Sequence, residues 1–194
     1  MGMRLIFLDI ETTGLDPAKD VPLEMAMIIL DASDLGQFYN AEYVVRQEDV
    51  VLNKLGHLSN NIHGITRDEI REGYNSYQIF LAVTDAFNLM KISKDNSVFI
   101  AQNPSFDRQF FNKIFPAEYQ IQENWPYHWL DLASMFWVTE QAPEHMILSK
   151  DNIADRLGIE PEMKPHRAMQ GVKHLIKCYL TLQKKIYEKR RERS

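Results

Sequence analysis

The chain has 194 residues, enough for one well-buried core and short of the length that usually splits into two. An apolar share of 45% with 25% charged residues excludes a disordered or fibrous chain. The formal net charge of −5 excludes a global basic field, so any contact with nucleic acid has to come from a local patch.

A single cysteine, Cys178, excludes an internal disulfide and fits a reducing compartment. No run of 18 apolar residues and no signal-peptide pattern occurs, so a cytoplasmic domain with no membrane partner is expected.

The stretch "RLIFLDI" (4–10) is a continuous apolar run ending in acid, which predicts a buried central strand. "LEMAMIIL" (23–30) and "FYNAEYVV" (38–45) follow as strands, joined by "DASDLGQ" as a hairpin turn. Thr66 and Glu69 stand at capping-box spacing and open a helix. A second helical pattern fills 76–90, and "SVFIAQ" (97–102) is another buried strand. In "NPSFDRQFFNKIF", Asn103 takes the N-cap and Pro104 the first helical position.

"YHWLDL" (127–132) predicts a last strand running into a helix, and Ser149 caps "KDNIADRL", closed by Gly158. Pro165 starts the final helix, with Ala168, Val172, Leu175, Ile176, Tyr179, Leu182 and Ile186 at helical spacing. Strands first, then strands alternating with helices, predict an α/β fold: a mixed sheet flanked by helices. The domain is expected over 1–183. The end "KKIYEKRRERS" (184–194) carries six basic side chains against two acidic ones and is expected as a solvated helix end or tail.

Three acids stand out. Side chains alternate along a strand, so Asp9 and Glu11 project together while Ile10 points away. Two carboxylates side by side at the end of a buried strand repel, so one takes up a proton or a cation sits between them. Gly14 turns the chain beside them, and Thr12 and Thr13 add hydroxyls that also suit a plain turn. Asp107 heads Phe110, Phe111 and Ile114 on the apolar stripe of its helix. The helix dipole explains an acid in the first turn but not one on a buried face, whereas a metal explains both. His166 lies in the expected first turn of the final helix, where the dipole favours the neutral imidazole that a general base requires.

Together these pieces resemble the DEDDh family of 3′–5′ exonucleases, which includes the proofreading subunit of bacterial replicative polymerases. "FLDIETTGLDP" resembles the family's first motif, "NNIHGIT" (60–66) its H-G-I-T loop, and "VFIAQNPSFDRQFF" (98–111) its second motif. "DLASMF" (131–136) and "HRAMQGVKHLIKCYL" (166–180) resemble its closing segments. The resemblance implies a ribonuclease H-like fold with a mixed five-stranded sheet.

It also implies two Mg²⁺ or Mn²⁺ ions held by Asp9, Glu11 and Asp107, with His166 taking the proton of the attacking water. The implied substrate contacts are Thr12, Thr13, Gly14, Leu15, His63, Asn103 and Phe106. Thr13 and the backbone near Gly14 would meet the terminal 3′-hydroxyl, and Leu15 would wedge against its base. The expected partners are single-stranded DNA or RNA 3′ ends, DNA favoured, with a DNA polymerase as candidate protein partner and the oligomeric state open.

The sequence departs from the family at two places. Gln102 stands where histidine is common, and Gly171 stands where the last metal-binding aspartate is expected, five residues after His166. Three readings of Gly171 compete: it merely lets the helix approach the sheet, a water, substrate phosphate or His174 fills the vacancy, or it was introduced to disable the enzyme. The leading expectation is a metal-dependent 3′–5′ exonuclease releasing nucleoside monophosphates. The alternative is a non-catalytic nucleic-acid or polymerase-binding module on the same fold.

Overall fold

The computed structural model describes residues 2–54, 63–140 and 147–191. Its elements run β1 (Arg4–Thr12), β2 (Pro22–Asp31), β3 (Gln37–Val44), α1 (Asp49–Lys54), α2 (Arg67–Glu72) and α3 (Ser76–Met90). They continue through β4 (Ser97–Ala101), α4 (Pro104–Ile114), α5 (Ala117–Gln122), β5 (Trp129–Asp131), α6 (Leu132–Thr139), α7 (Lys150–Leu157) and α8 (Ala168–Arg191). The first three residues of "NNIHGIT" and the last three of the basic tail lie outside the described residues.

The five strands form one sheet in the order β3-β2-β1-β4-β5. β1 and β2 are antiparallel with Leu8 opposite Met27, and β1 and β4 are parallel with Phe7 opposite Ile100. This is the expected mixed sheet, and β1 lies at its centre. β2 is buried at all ten positions because helices cover both faces. Alternation along β1 divides the core accordingly. Ile6, Leu8 and Ile10 pack with Ile79, Val83 and Phe87 of α3 and with Phe110, Phe111 and Ile114 of α4. Leu5 and Phe7 pack on the other side with Phe136 of α6, Ile153 of α7 and Val172, Leu175 and Leu182 of α8.

The local signals act as expected at α2, where Thr66 and Glu69 form a reciprocal capping box, and at α7, where Ser149 caps and Gly158 adopts the left-handed conformation (φ 71°). At α4, Asn103 is the N-cap and Pro104 follows, but the Asn103 side chain accepts from Ser105 Oγ (2.5 Å) rather than capping a backbone N–H.

The final helix corrects an expectation. It begins at Ala168, not Pro165, so His166 lies two residues ahead of it. Its cap comes from a distant strand: the Glu24 carboxylate on β2 accepts the Ala168 N–H (2.8 Å). Once begun, α8 runs unbroken past residue 183, and Ile186 still packs on the core.

Candidate active site

Asp9 and Glu11 emerge together on the α8 side of β1, near the strand's C-terminal end. Asp107 approaches from the opposite helical layer. Its path is set by the sheet: β4 pairs with β1 only as far as Phe7–Ile100, which leaves the Ile10 N–H beyond the ladder. Asp107 Oδ1 accepts that N–H at 3.1 Å, and the side chain is buried at 5% exposure. The N–H would otherwise be a costly orphan, so the acid on the apolar stripe has a structural partner as well as a chemical one.

The three acids meet in a cleft of about 380 Å³, lined also by Ile10, Leu15, Gln102, Asn103, Phe106, Ser149, Lys150, Asp151, Glu162 and His166. Burial raises the pKa of all three. It acts on Asp9 against the opposing pull of Lys150, and pushes Glu11 up to about 7 with the help of the Asp9 charge. Asp107 is raised well above the usual carboxylate range by burial and by Asp9. A crowded, dehydrated set of carboxylates is one that gains from a cation.

One cation is already present. Lys150, the first residue of α7, places Nζ 2.9 Å from Glu162 Oε2 and 3.5 Å from Asp9 Oδ1. Although burial opposes its charge, the Asp9 and Glu162 carboxylates hold the ammonium well above its ordinary pKa. Glu162 Oε2 also lies 3.6 Å from His166 Nδ1, while Glu162 Oε1 is buried without a hydrogen-bond partner.

Gly171 on α8 faces the same group. A Cβ there would collide with the Asp9 carboxylate, at 2.7 Å from its carbon, and would lie 3.1 Å from Lys150 Nζ. The helix therefore approaches β1 more closely than any larger residue allows. His174 does not fill the vacancy: its Nε2 donates to the Glu160 carbonyl (2.9 Å), and it does not line the cleft.

The approach of His166 is set by two contacts across the fold. Gly64, in the left-handed conformation (φ 63°), lets its loop touch Pro165, whose Cγ would stand 2.7 Å from a Cβ at 64. Arg167 grips Glu24 through Nε (2.9 and 3.1 Å) and reaches Glu69 through Nη1 (3.2 Å).

Of the expected substrate contacts, Leu15, Asn103 and Phe106 line the cleft, and Leu15 is 84% exposed. Thr12, Thr13, Gly14 and His63 do not line it. Thr12 Oγ1 donates to the Gly14 carbonyl (2.6 Å), and Thr13 Oγ1 donates to Asp20 Oδ1 (3.1 Å) and accepts from the Val21 N–H (3.0 Å). Those hydroxyls hold the turn beside the site. His63 is buried at 1% exposure, with Nδ1 accepting the Ile65 N–H (3.1 Å) and Nε2 unpartnered.

Lys150 and Glu162 are the ion-paired cleft residues that the sequence reading passed over. Lys150 carried a signal: a cation at the first position of a helix opposes the dipole and calls for a compensating partner. Glu162, in an irregular segment between two helices, carried none.

The donor set is all oxygen and suits a hard divalent ion. As placed, however, no three carboxylate, imidazole or thiol groups among the described residues are arranged to hold a metal ion. Asp9 turns one oxygen toward Lys150 and the other toward Gly171. Asp9, Glu11 and Asp107 offer enough oxygens for one ion. A second ion, needing residue 171 and the space beside Asp9, does not fit these residues.

Comparison with known proteins agrees with the architecture. The RNase_T family model, described as an exonuclease, matches residues 6–179. An oligoribonuclease from Pseudomonas syringae pv. tomato is 31% identical over 135 residues, 68% of this chain and 74% of the relative. The solved nuclease domain of 3′hExo, a DEDDh family member bound to rAMP, superposes with a TM-score of 0.73 at 16% identity, covering 94% of this chain and 92% of that one. Exonuclease I of E. coli in complex with a dT13 oligonucleotide gives 0.73 at 22% identity, and this chain, 96% covered, spans 43% of its length. Those two likenesses establish the fold. The family model, spanning nearly the whole chain, makes it a member of the RNase_T exonuclease family.

Proposed function

We propose that the chain is a metal-dependent 3′–5′ exonuclease that releases nucleoside monophosphates from short single-stranded oligonucleotides. The observation that carries this reading is the meeting of Asp9, Glu11 and Asp107, from two structural layers, in a cleft shared with His166. We favour RNA over DNA as the substrate, a reading supported by relatives named oligoribonuclease, whereas the sequence alone favoured DNA.

Asp9, Glu11 and Asp107 would hold a Mg²⁺ or Mn²⁺ ion. Such an ion, when bound, polarises the scissile phosphate and lowers the pKa of the attacking water. His166 supplies the acceptor for that water's proton. Its Nδ1 faces Glu162, so Nε2 is the nitrogen free to turn toward substrate. Leu15, exposed at the cleft mouth, offers an apolar surface for the terminal base, and Phe106 lines the same cleft as a stacking surface. Stacking of that kind does not discriminate sequence, which suits end-trimming.

The test is product analysis with 5′-labelled RNA and DNA oligonucleotides in Mg²⁺ or Mn²⁺. Stepwise shortening from the 3′ end, faster on short RNA, is expected. Failure to release mononucleotide from either polymer with either ion would overturn the proposal.

A further inference from the structure

We infer that Lys150 is the built-in second cation of this cleft. Its ammonium takes the place a second divalent ion would need, so the cleft takes up one divalent ion and grips a substrate phosphate through Lys150 itself.

Three independent features point the same way. The first is position. An ion bound between residue 171 and Asp9 would need the space that Lys150 Nζ borders, 3.5 Å from Asp9 Oδ1 and 3.1 Å from the place of a Cβ at 171. A dication on the residue-171 side of Asp9 would crowd that fixed ammonium, and two positive charges so close do not coexist cheaply in a buried site.

The second is support. Lys150 opens α7, where the dipole disfavours a cation, yet it is held there by Glu162 Oε2 at 2.9 Å. Gln102, the departure from the family pattern in the second motif, donates from Nε2 to the Leu148 carbonyl (2.9 Å) and so fixes the segment leading into Ser149 and Lys150. The third is incompleteness. The Lys150 side chain lines the cleft and keeps 18% exposure. The ammonium has three donors and its two carboxylate contacts leave one for an incoming oxygen. A nucleotide phosphate is the ligand whose charge and geometry answer it.

Gly171 and Lys150 therefore meet at one point in space: the position without a carboxylate and the ammonium both lie against the Asp9 carboxylate. The inference rests on the exonuclease reading for the identity of the phosphate, but its tests are read without turnover.

Mn²⁺ binding to the full chain, followed by electron paramagnetic resonance, is expected to saturate at one ion. The double variant Lys150→Leu/Gly171→Asp is expected to take two, because the ligand returns as the competing charge leaves. In excess chelator, adenosine 5′-monophosphate is expected to bind the wild-type chain. That binding should weaken about tenfold or more in Lys150→Met/Glu162→Gln, the loss of one charge-assisted hydrogen bond. This neutral pair avoids leaving Glu162 buried without its cation, and a circular-dichroism melt of it checks that it folds.

Two ions on the wild-type chain would overturn the inference, as would metal-free nucleotide binding that is absent or indifferent to Lys150. One ion, Lys150-dependent nucleotide binding and no cutting would leave it standing while the exonuclease reading fell. Cutting with two ions bound would do the reverse.

Discussion

Arg167 and Glu24 form a bidentate ion pair across 143 residues of sequence, with Nε and Nη2 of the guanidinium at 2.9 and 2.5 Å from Glu24 Oε1. Glu24 is wholly buried, and its other oxygen accepts the Ala168 N–H, so one side chain of β2 both neutralises Arg167 and begins α8. His166 and Gly171 are placed by this joint. Replacing Arg167 with Leu leaves Glu24 buried and uncompensated, a loss of about 3–5 kcal/mol. Chemical denaturation should show that loss, while Arg167→Lys, which cannot make the bidentate contact, should recover only part of it.

Gly171→Ala sets two effects against each other. Alanine favours the helix by about 1 kcal/mol. Its Cβ, however, overlaps the Asp9 carboxylate, and overpacking of a close interface costs about 1–3 kcal/mol. The overlap is expected to win, with a lower denaturation midpoint and an unchanged slope. Gly171→Asp alone also keeps the Lys150 ammonium beside Asp9, so it is expected to bind metal less well than Lys150→Leu/Gly171→Asp.

The acid cluster predicts how stability depends on pH in chelator. Glu11 has a folded pKa of about 7 against an ordinary 4.5, so between these values the folded state keeps a proton that the unfolded state releases. Stability therefore falls as pH rises through that window and levels off above it. The raised Asp9 and Asp107 act in the same direction. The melting temperature of Glu11→Gln should vary less over this range, and Mg²⁺ added above pH 7 should raise that of the wild-type chain.

Asp107→Asn separates structure from chemistry. The asparagine carbonyl can still accept the Ile10 N–H, and a repelling charge is removed. In chelator near pH 8 the variant should be at least as stable as the wild type by thermal melting. Its turnover should drop on the order of 100-fold, the several kcal/mol that a metal ligand contributes to the transition state.

His166→Ala should lower kcat by about 10²–10⁴ without lowering Mn²⁺ occupancy, if the imidazole accepts a proton and does not bind the ion. Loss of metal binding in this variant would count against that role.

Much of this was legible in the sequence because it depends on near neighbours. Strand alternation put Asp9 and Glu11 on one side, helical periodicity put Asp107 among Phe110, Phe111 and Ile114, and the caps at Thr66 and Ser149 formed from residues three positions apart. The start of α8 was misread for the opposite reason. Pro165 is a good first helical residue by local rules, but the cap is Glu24, supplied by a strand that no local pattern connects to it.

What the sequence by itself determined is the mixed sheet, the central acidic strand and the three acids Asp9, Glu11 and Asp107 that share the cleft, all properties of short-range periodicity and motif order. What only the tertiary structure decided is the state of the vacancy at Gly171. Glycine removes volume, and nothing in its neighbourhood in the chain says what enters the space. The answer depended on α8 approaching β1 until Asp9 touched the helix, and on α7 presenting Lys150 to the same carboxylate. Close packing and charge pairing over more than a hundred residues have no period that a sequence can display.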